Sequence, residues 1–262
     1  MAGGLLKADG RAGAKLAAAA AAEFLGTMLF ALVGAAAPYR KAAVANGLAL
    51  AVLVYATANV SGGHLNPAVT AATLATGHVS AARALLYVCA QIAGSMVASA
   101  LHLLLIPKAV NVGCFAPGSG VSLWQAFGWE LLMTATLVAV IYAVAVGDKN
   151  VAAPAAIGIT LVACATTALD YSGASLNPAR VIGPAVVFGC GAGAWKVVAV
   201  YVAAQLAGGL SAALFSWPLY GTGPFFGSWG DARAEAQEAL TEALHDTKEA
   251  IRGTYERLQD HS

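Results

Sequence analysis

What this chain lacks most is charge. Only 10% of its 262 residues are Asp, Glu, Lys or Arg, and 59% are hydrophobic, against roughly 25% charged residues in a typical soluble domain. A soluble helical bundle needs a polar outer face along each helix. The runs Leu16 to Ala37, Gly47 to Val60, Leu85 to Pro107, Ala126 to Val146, Ala155 to Ala168 and Val197 to Trp217 offer almost none. The formal net charge is +1 and no basic cluster interrupts these runs, which argues against nucleic acid as a partner. Cysteine is scarce too: Cys89 and Cys164 lie inside apolar runs, Cys114 and Cys190 in Gly-rich connections, and no pair has metal-ligand spacing. The first two read as inert buried thiols, and for Cys114 and Cys190 a bridge is the less favoured alternative. No nucleophile, base or metal cluster converges in the sequence, so neither enzyme activity nor a cofactor or metal is expected. A separate cleavable leader is also missing, because the first apolar run is long and contains Glu23, and it reads as a retained span.

What is present fits lipid. Several runs reach the roughly 20 residues that cross a 30 Å hydrocarbon core, and an open sheet there would leave its edges unpaired. The fold class is therefore an all-α membrane protein with six transmembrane helices. With the N-terminus inside, Lys7, Arg11, Lys15, Arg83 and Lys149 face the cytoplasm, while Arg40, Lys41, Lys108 and Lys196 face out. This thin excess puts both termini on the cytoplasmic side.

The sequence also repeats itself. "SGGHLNPAVT" (Ser61 to Thr70) returns as "SGASLNPARV" (Ser172 to Val181), "YVCAQIAGSMVASAL" (Tyr87 to Leu101) as "YVAAQLAGGLSAAL" (Tyr201 to Leu214), and Glu23 as Glu130. Each half carries three spans, so the second half enters the membrane from the opposite side, the inverted repeat that builds sites at the bilayer midplane. Asn66-Pro67-Ala68 and Asn177-Pro178-Ala179 read as helix starts, since Asn is a strong cap and Pro suits the first helical position. The apolar stretches after them last about 11 residues, or roughly 16 Å, half a bilayer. Inversion brings these two re-entrant half-helices start to start, with the positive ends of both dipoles at the centre. The backbone before each cap, Gly62-Gly63-His64 and Gly173-Ala174-Ser175, must be non-helical, and at membrane depth it is either packed by protein or lines a wet cavity, where its carbonyls can face a water path. Glu23 and Glu130 are placed to accept its spare N–H groups.

With these residues the chain resembles the aquaporin (major intrinsic protein) family, from Glu23 to about Trp217. The resemblance implies an aquaporin-like fold, a homotetramer with one pore per subunit, and a passive channel domain over 16–220. Its repeats are about 16–107 and 121–220, between an N-terminal cytoplasmic segment, 1–15, and a cytoplasmic tail, 221–262. It implies that Asn66 and Asn177 donate to passing water and that Arg180 belongs to a narrow selectivity filter with Asn46, Ala165 and Ala174. An Arg on the first turn of a half-helix is tolerable at a hydrated constriction, where it repels protons and cations. A water accepting from both Asn residues must point its hydrogens outward, which breaks a proton-conducting chain.

Water-selective members usually carry a bulky aromatic and a histidine where this chain has Asn46 and Ala165. Glycerol-conducting members carry an Asp after the Arg and a basic residue beyond it, where this chain has Val181 and Ala185. The expectation is a wider constriction in which Arg180 has fewer neighbours. That pattern looks more like plant or algal vacuolar-type intrinsic proteins that pass water, urea, ammonia or hydrogen peroxide, with glycerol a further candidate and the membrane either vacuolar or plasma. His64 is a candidate pore-mouth residue able to tune opening by pH, although a hydrogen-bonded loop histidine is the commoner arrangement. His78 and His102 read as ordinary boundary residues. In the tail, Leu240, Leu244, Ile251, Tyr255 and Leu258 recur at helical spacing and imply an amphipathic helix. An inverted-repeat secondary transporter and a non-conducting membrane scaffold are the rival functions.

Overall fold

The computed structural model describes residues 2–107, 109, 111–146 and 150–220, with side chains from residue 13 onward except at 217, 218 and 220. The expected tail helix lies outside the described residues. Eight α-helices follow in order: α1 (Ala2–Ala36), α2 (Tyr39–Ser61), α3 (Pro67–Ala75), α4 (Ala81–Leu105), α5 (Leu123–Ile141), α6 (Ala153–Ser172), α7 (Pro178–Phe188) and α8 (Ala194–Tyr220). A π-helical turn, Tyr142–Val146, extends α5. Six helices are long and apolar enough to cross a membrane, and they match the six runs read from the sequence. The backbone of α1 is helical from Ala2, and its stretch apolar enough to cross a membrane is Gly13–Ala36.

The outside of this bundle is apolar, and its interior holds polar groups among apolar ones. Leu48, Val52, Leu85, Leu104, Leu132, Ile159 and Phe215 are exposed, while Glu23, Glu130, Gln91 and Gln205 are completely buried. In water that distribution would be costly; in lipid it is the stable one, because polar groups must find partners inside the protein.

Close helix crossings depend on glycine. A Cβ at Gly94 of α4 would come within 2.3 Å of the Phe24 carbonyl of α1, and one at Gly208 of α8 within 2.3 Å of the Leu131 carbonyl of α5. Across the centre, Gly47 of α2 and Gly158 of α6 are mutual: a Cβ on either would meet the carbonyl of the other at 2.5 Å. Small residues let backbones approach where no hydrophobic force drives helices together in lipid. The half-helices pack across the repeats, α3 on α8 and α7 on α4.

A candidate pore and its constriction

Each half-helix begins as its cap and proline dictate. Asn66 Oδ1 accepts from the Ala68 N–H at 2.9 Å and Asn177 Oδ1 from the Ala179 N–H at 2.9 Å, with Pro67 and Pro178 at the first helical positions. The amide N–H groups cross to the other repeat. Asn66 Nδ2 donates to Leu176 O and Asn177 Nδ2 to Leu65 O, each at 2.8 Å. One donor of each amide is thus held by backbone, which fixes the direction of the second.

The carbonyls are aimed by an unusual backbone. Leu65 and Leu176 have φ of 52° and 54°, Gly63 and Ala174 have 65° and 52°, and a left-handed non-Gly residue costs of order 1–3 kcal/mol. The buried glutamates oppose that cost. Glu23 accepts from the backbone N–H of His64 (2.9 Å) and Leu65 (2.7 Å), the Ser61 hydroxyl (2.6 Å) and Gln91 Nε2 (2.7 Å). Glu130 accepts from the backbone N–H of Ser175 (3.0 Å) and Leu176 (2.9 Å), the Ser172 hydroxyl (2.7 Å) and Gln205 Nε2 (2.7 Å). The hydroxyls of Tyr87 and Tyr201 tie down Ser61 O and Ser172 O.

From one face a cavity of about 460 Å³ runs from Asn59 and Asn150 past His64 to Asn66, walled by Leu50, Val54, Leu137 and Ile157. Polar groups thus line one side of an otherwise apolar passage. The His64 ring lies 3.1 Å from the Thr70 hydroxyl and edge-on to Tyr87, so both its neighbours are intramolecular.

On the other side of the Asn pair, Arg180 is buried and its Nη1 donates to Ser175 O at 3.2 Å. Its guanidinium lies 5.0 Å from the ring centre of Phe30 and 5.3 Å from that of Phe115, cation–π contacts on two sides. Ala165 and Ala174 pack into the same apolar cluster as Phe30. Asn46 shares the inward stripe of α2 with Ala43 and Leu50, but its amide turns toward α1, donating to Gly34 O (3.3 Å) and Ala42 O (2.7 Å). Gly34 makes that possible, since a Cβ there would overlap Asn46 Oδ1.

Phe30 was legible in principle: it follows Glu23 by seven residues, two helical turns, and so shares its inward face. Phe115 was not, because it sits in the irregular α4–α5 connection. A disulfide between Cys114 and Cys190, with Cα atoms 5.6 Å apart, ties that connection to the end of α7. The bridge that the sequence left as the less favoured alternative is therefore formed; the fold brings together two residues that are 76 apart in the chain. Gly113 packs on Pro184 of α7 and the Gly118 N–H donates to Tyr171 O, so Phe115 is held on both sides. His102 stands at the end of its span, in the last turn of α4, and is buried there with its Nε2 3.0 Å from Leu32 O.

Comparison with known proteins agrees with this architecture. The profile of the family described as "Major intrinsic protein" matches residues 12–216. Aquaporin TIP1-2 of Zea mays is 40% identical over 218 residues, covering 76% of this chain and 84% of that protein. Aquaporin TIP1-1 of Arabidopsis thaliana is 38% identical over 211 residues, covering 73% and 82%. Among solved structures, the aquaglyceroporin from Plasmodium falciparum superposes with a TM-score of 0.67 at 22% identity, over 76% of this chain and 95% of that one, a likeness of fold. Two capped half-helices meeting between inverted triplets of spans, and a profile match across nearly the whole described region, lead to one assignment: the chain is a multi-pass membrane protein of the major intrinsic protein family.

Proposed function

We propose that this protein is a passive channel for water and small uncharged solutes such as urea, ammonia and hydrogen peroxide, and that it excludes protons and ions. The observation that carries the reading is the reciprocal bonding of Asn66 and Asn177 to Leu176 O and Leu65 O, which leaves one amide donor of each residue for a file of water. Arg180, with Phe30, Phe115, Ala165 and Ala174 around it, forms the selectivity constriction, and Asn46 contributes width by leaning away toward α1. A fixed charge and two inward helix starts repel cations while neutral molecules pass. Glu23 and Glu130 support the pore loops and carry no transported ion, because all their hydrogen bonds serve loop backbone, Ser and Gln. That argues against a coupled transporter.

Glycerol is the discriminating solute, because the paired rings beside Arg180 narrow what Ala165 and Ala174 leave open. The vacuolar membrane is the proposed location, supported by the identity to the TIP-type relatives, with both termini cytoplasmic and four copies per assembly. Stopped-flow light scattering on proteoliposomes, comparing water, urea, hydrogen peroxide and glycerol, tests the reading. Linear, non-saturating flux of water and urea is expected; saturable uptake or exclusion of every solute contradicts it.

A further inference from the structure

Beside Arg180 lies a second, much smaller cavity of about 10 Å³, bordered by Ala35 of α1, Ser99 and His102 of α4, Phe115, and Pro184 of α7. That is about the volume one water needs, provided polar partners are at hand. The lining is mostly apolar, and the polar partners are two side chains, His102 and Arg180. His102 is 2% exposed, and its Nε2 faces the Leu32 carbonyl. A carbonyl only accepts, so Nε2 carries the proton and Nδ1 is left as an acceptor. Nδ1 is buried and has no protein partner among the described residues. Arg180 is the complementary case: it has five N–H donors and, among the described residues, one protein hydrogen bond, to Ser175 O. The Ser99 hydroxyl does not compete, because it donates to Ser95 O within its own helix.

We propose that His102 is a positioning residue for Arg180, acting through a single water in this cavity that accepts from the guanidinium and donates to Nδ1. The inference rests on the reading of Arg180 as the selectivity constriction and adds what fixes its side chain there. Ser175 O restrains one nitrogen, and the two rings restrain the plane's surroundings. The bridge to α4 adds a second polar restraint on the guanidinium. The side chain at position 102 therefore sets the urea-to-water permeability ratio without touching a solute.

Two substitutions separate this role from a structural one. His102→Gln keeps a nitrogen where Nε2 was, and with it the bond to Leu32 O, but has no acceptor at the Nδ1 position. His102→Asn ends at the Nδ1 position and keeps an acceptor there, but cannot reach Leu32 O. In the full chain reconstituted into liposomes, the proposal expects a severalfold rise in the urea-to-water ratio for His102→Gln and a near wild-type ratio for His102→Asn. The reverse order, or no change in either, overturns it. Arg180→Val is the reference arm: if it leaves the ratio unchanged, the reading of the constriction fails, whereas a shift there with none in His102→Gln sinks only the present proposal. Should either histidine variant fail to fold, an experimental map of the wild-type protein at water-resolving quality decides. Density bridging Nδ1 and the guanidinium is expected, and its absence contradicts the proposal.

Discussion

The two repeats share one scaffold and differ in what they present to the passage. Their glutamate hubs match bond for bond: two backbone N–H groups, a serine and a glutamine converge on Glu23 in the first repeat and on Glu130 in the second. Around the caps the repeats diverge. Three residues after its Asn the first repeat has Val69, the second Arg180; one residue further stand Thr70 and Val181. Thr70 receives a bond from Gln91 Nε2 at 3.0 Å and contacts the His64 ring, whereas Gln205 Oε1 is buried without a partner among the described residues. Duplication fixes the scaffold, and single substitutions at equivalent positions make the pore asymmetric. One end becomes a roomy vestibule and the other an arginine clamped between rings.

The largest effect should come from breaking the shared part. Glu23→Ala or Glu130→Ala removes the acceptor shared by four donors in one repeat, a loss of about 3–5 kcal/mol. Thermal unfolding in detergent should show both variants destabilised by similar amounts; a large difference would mean that the matching bonds do not carry matching energies. Next comes the divergent position. Arg180→Val gives the second repeat the side chain of the first. A unit charge about 4 Å from a passing cation is worth roughly 4 kcal/mol at an effective dielectric of 20, so cation or proton leak should rise at least about tenfold. A pH-sensitive dye inside proteoliposomes reads that change.

The disulfide belongs to one end only. Replacing Cys114 and Cys190 together by Ser should cost about 2–4 kcal/mol and raise solute flux by freeing Phe115 from Arg180. Reducing the wild-type protein should do the same, and reducing the double variant should do nothing. The smallest effect is a gain. Val181→Thr gives Gln205 a hydroxyl partner like Thr70, which accepts from Gln91 Nε2 at 3.0 Å and lies 3.5 Å from its Oε1, worth about 1 kcal/mol, and should raise the unfolding temperature by a few degrees. Thr70→Val should lower it by a similar amount.

Sequence made the scaffold readable because its signals are local or repeated. Span length, the Asn-Pro starts and the paired Glu and Gln positions each follow from spacing along one helix or from one half compared with the other. The surroundings of Arg180 did not follow. Phe115 and the Cys114–Cys190 bridge lie in connections without periodicity, and only the folding of the α4–α5 segment over α7 brings them to the constriction. Asn46 shows the opposite failure: its position was legible, but the turn of its amide toward α1 depends on Gly34, a residue on another helix that lacks a Cβ.

The central claim is that two inverted half-helices meet so that Asn66 and Asn177 serve one continuous file of water. An experimental density map of the protein in lipid, resolving ordered water, tests this most directly. A single file passing within hydrogen-bond distance of both amides and on beside Arg180 is expected. A file that bypasses either Asn, or two amides separated by packed side chains with no water between them, contradicts it.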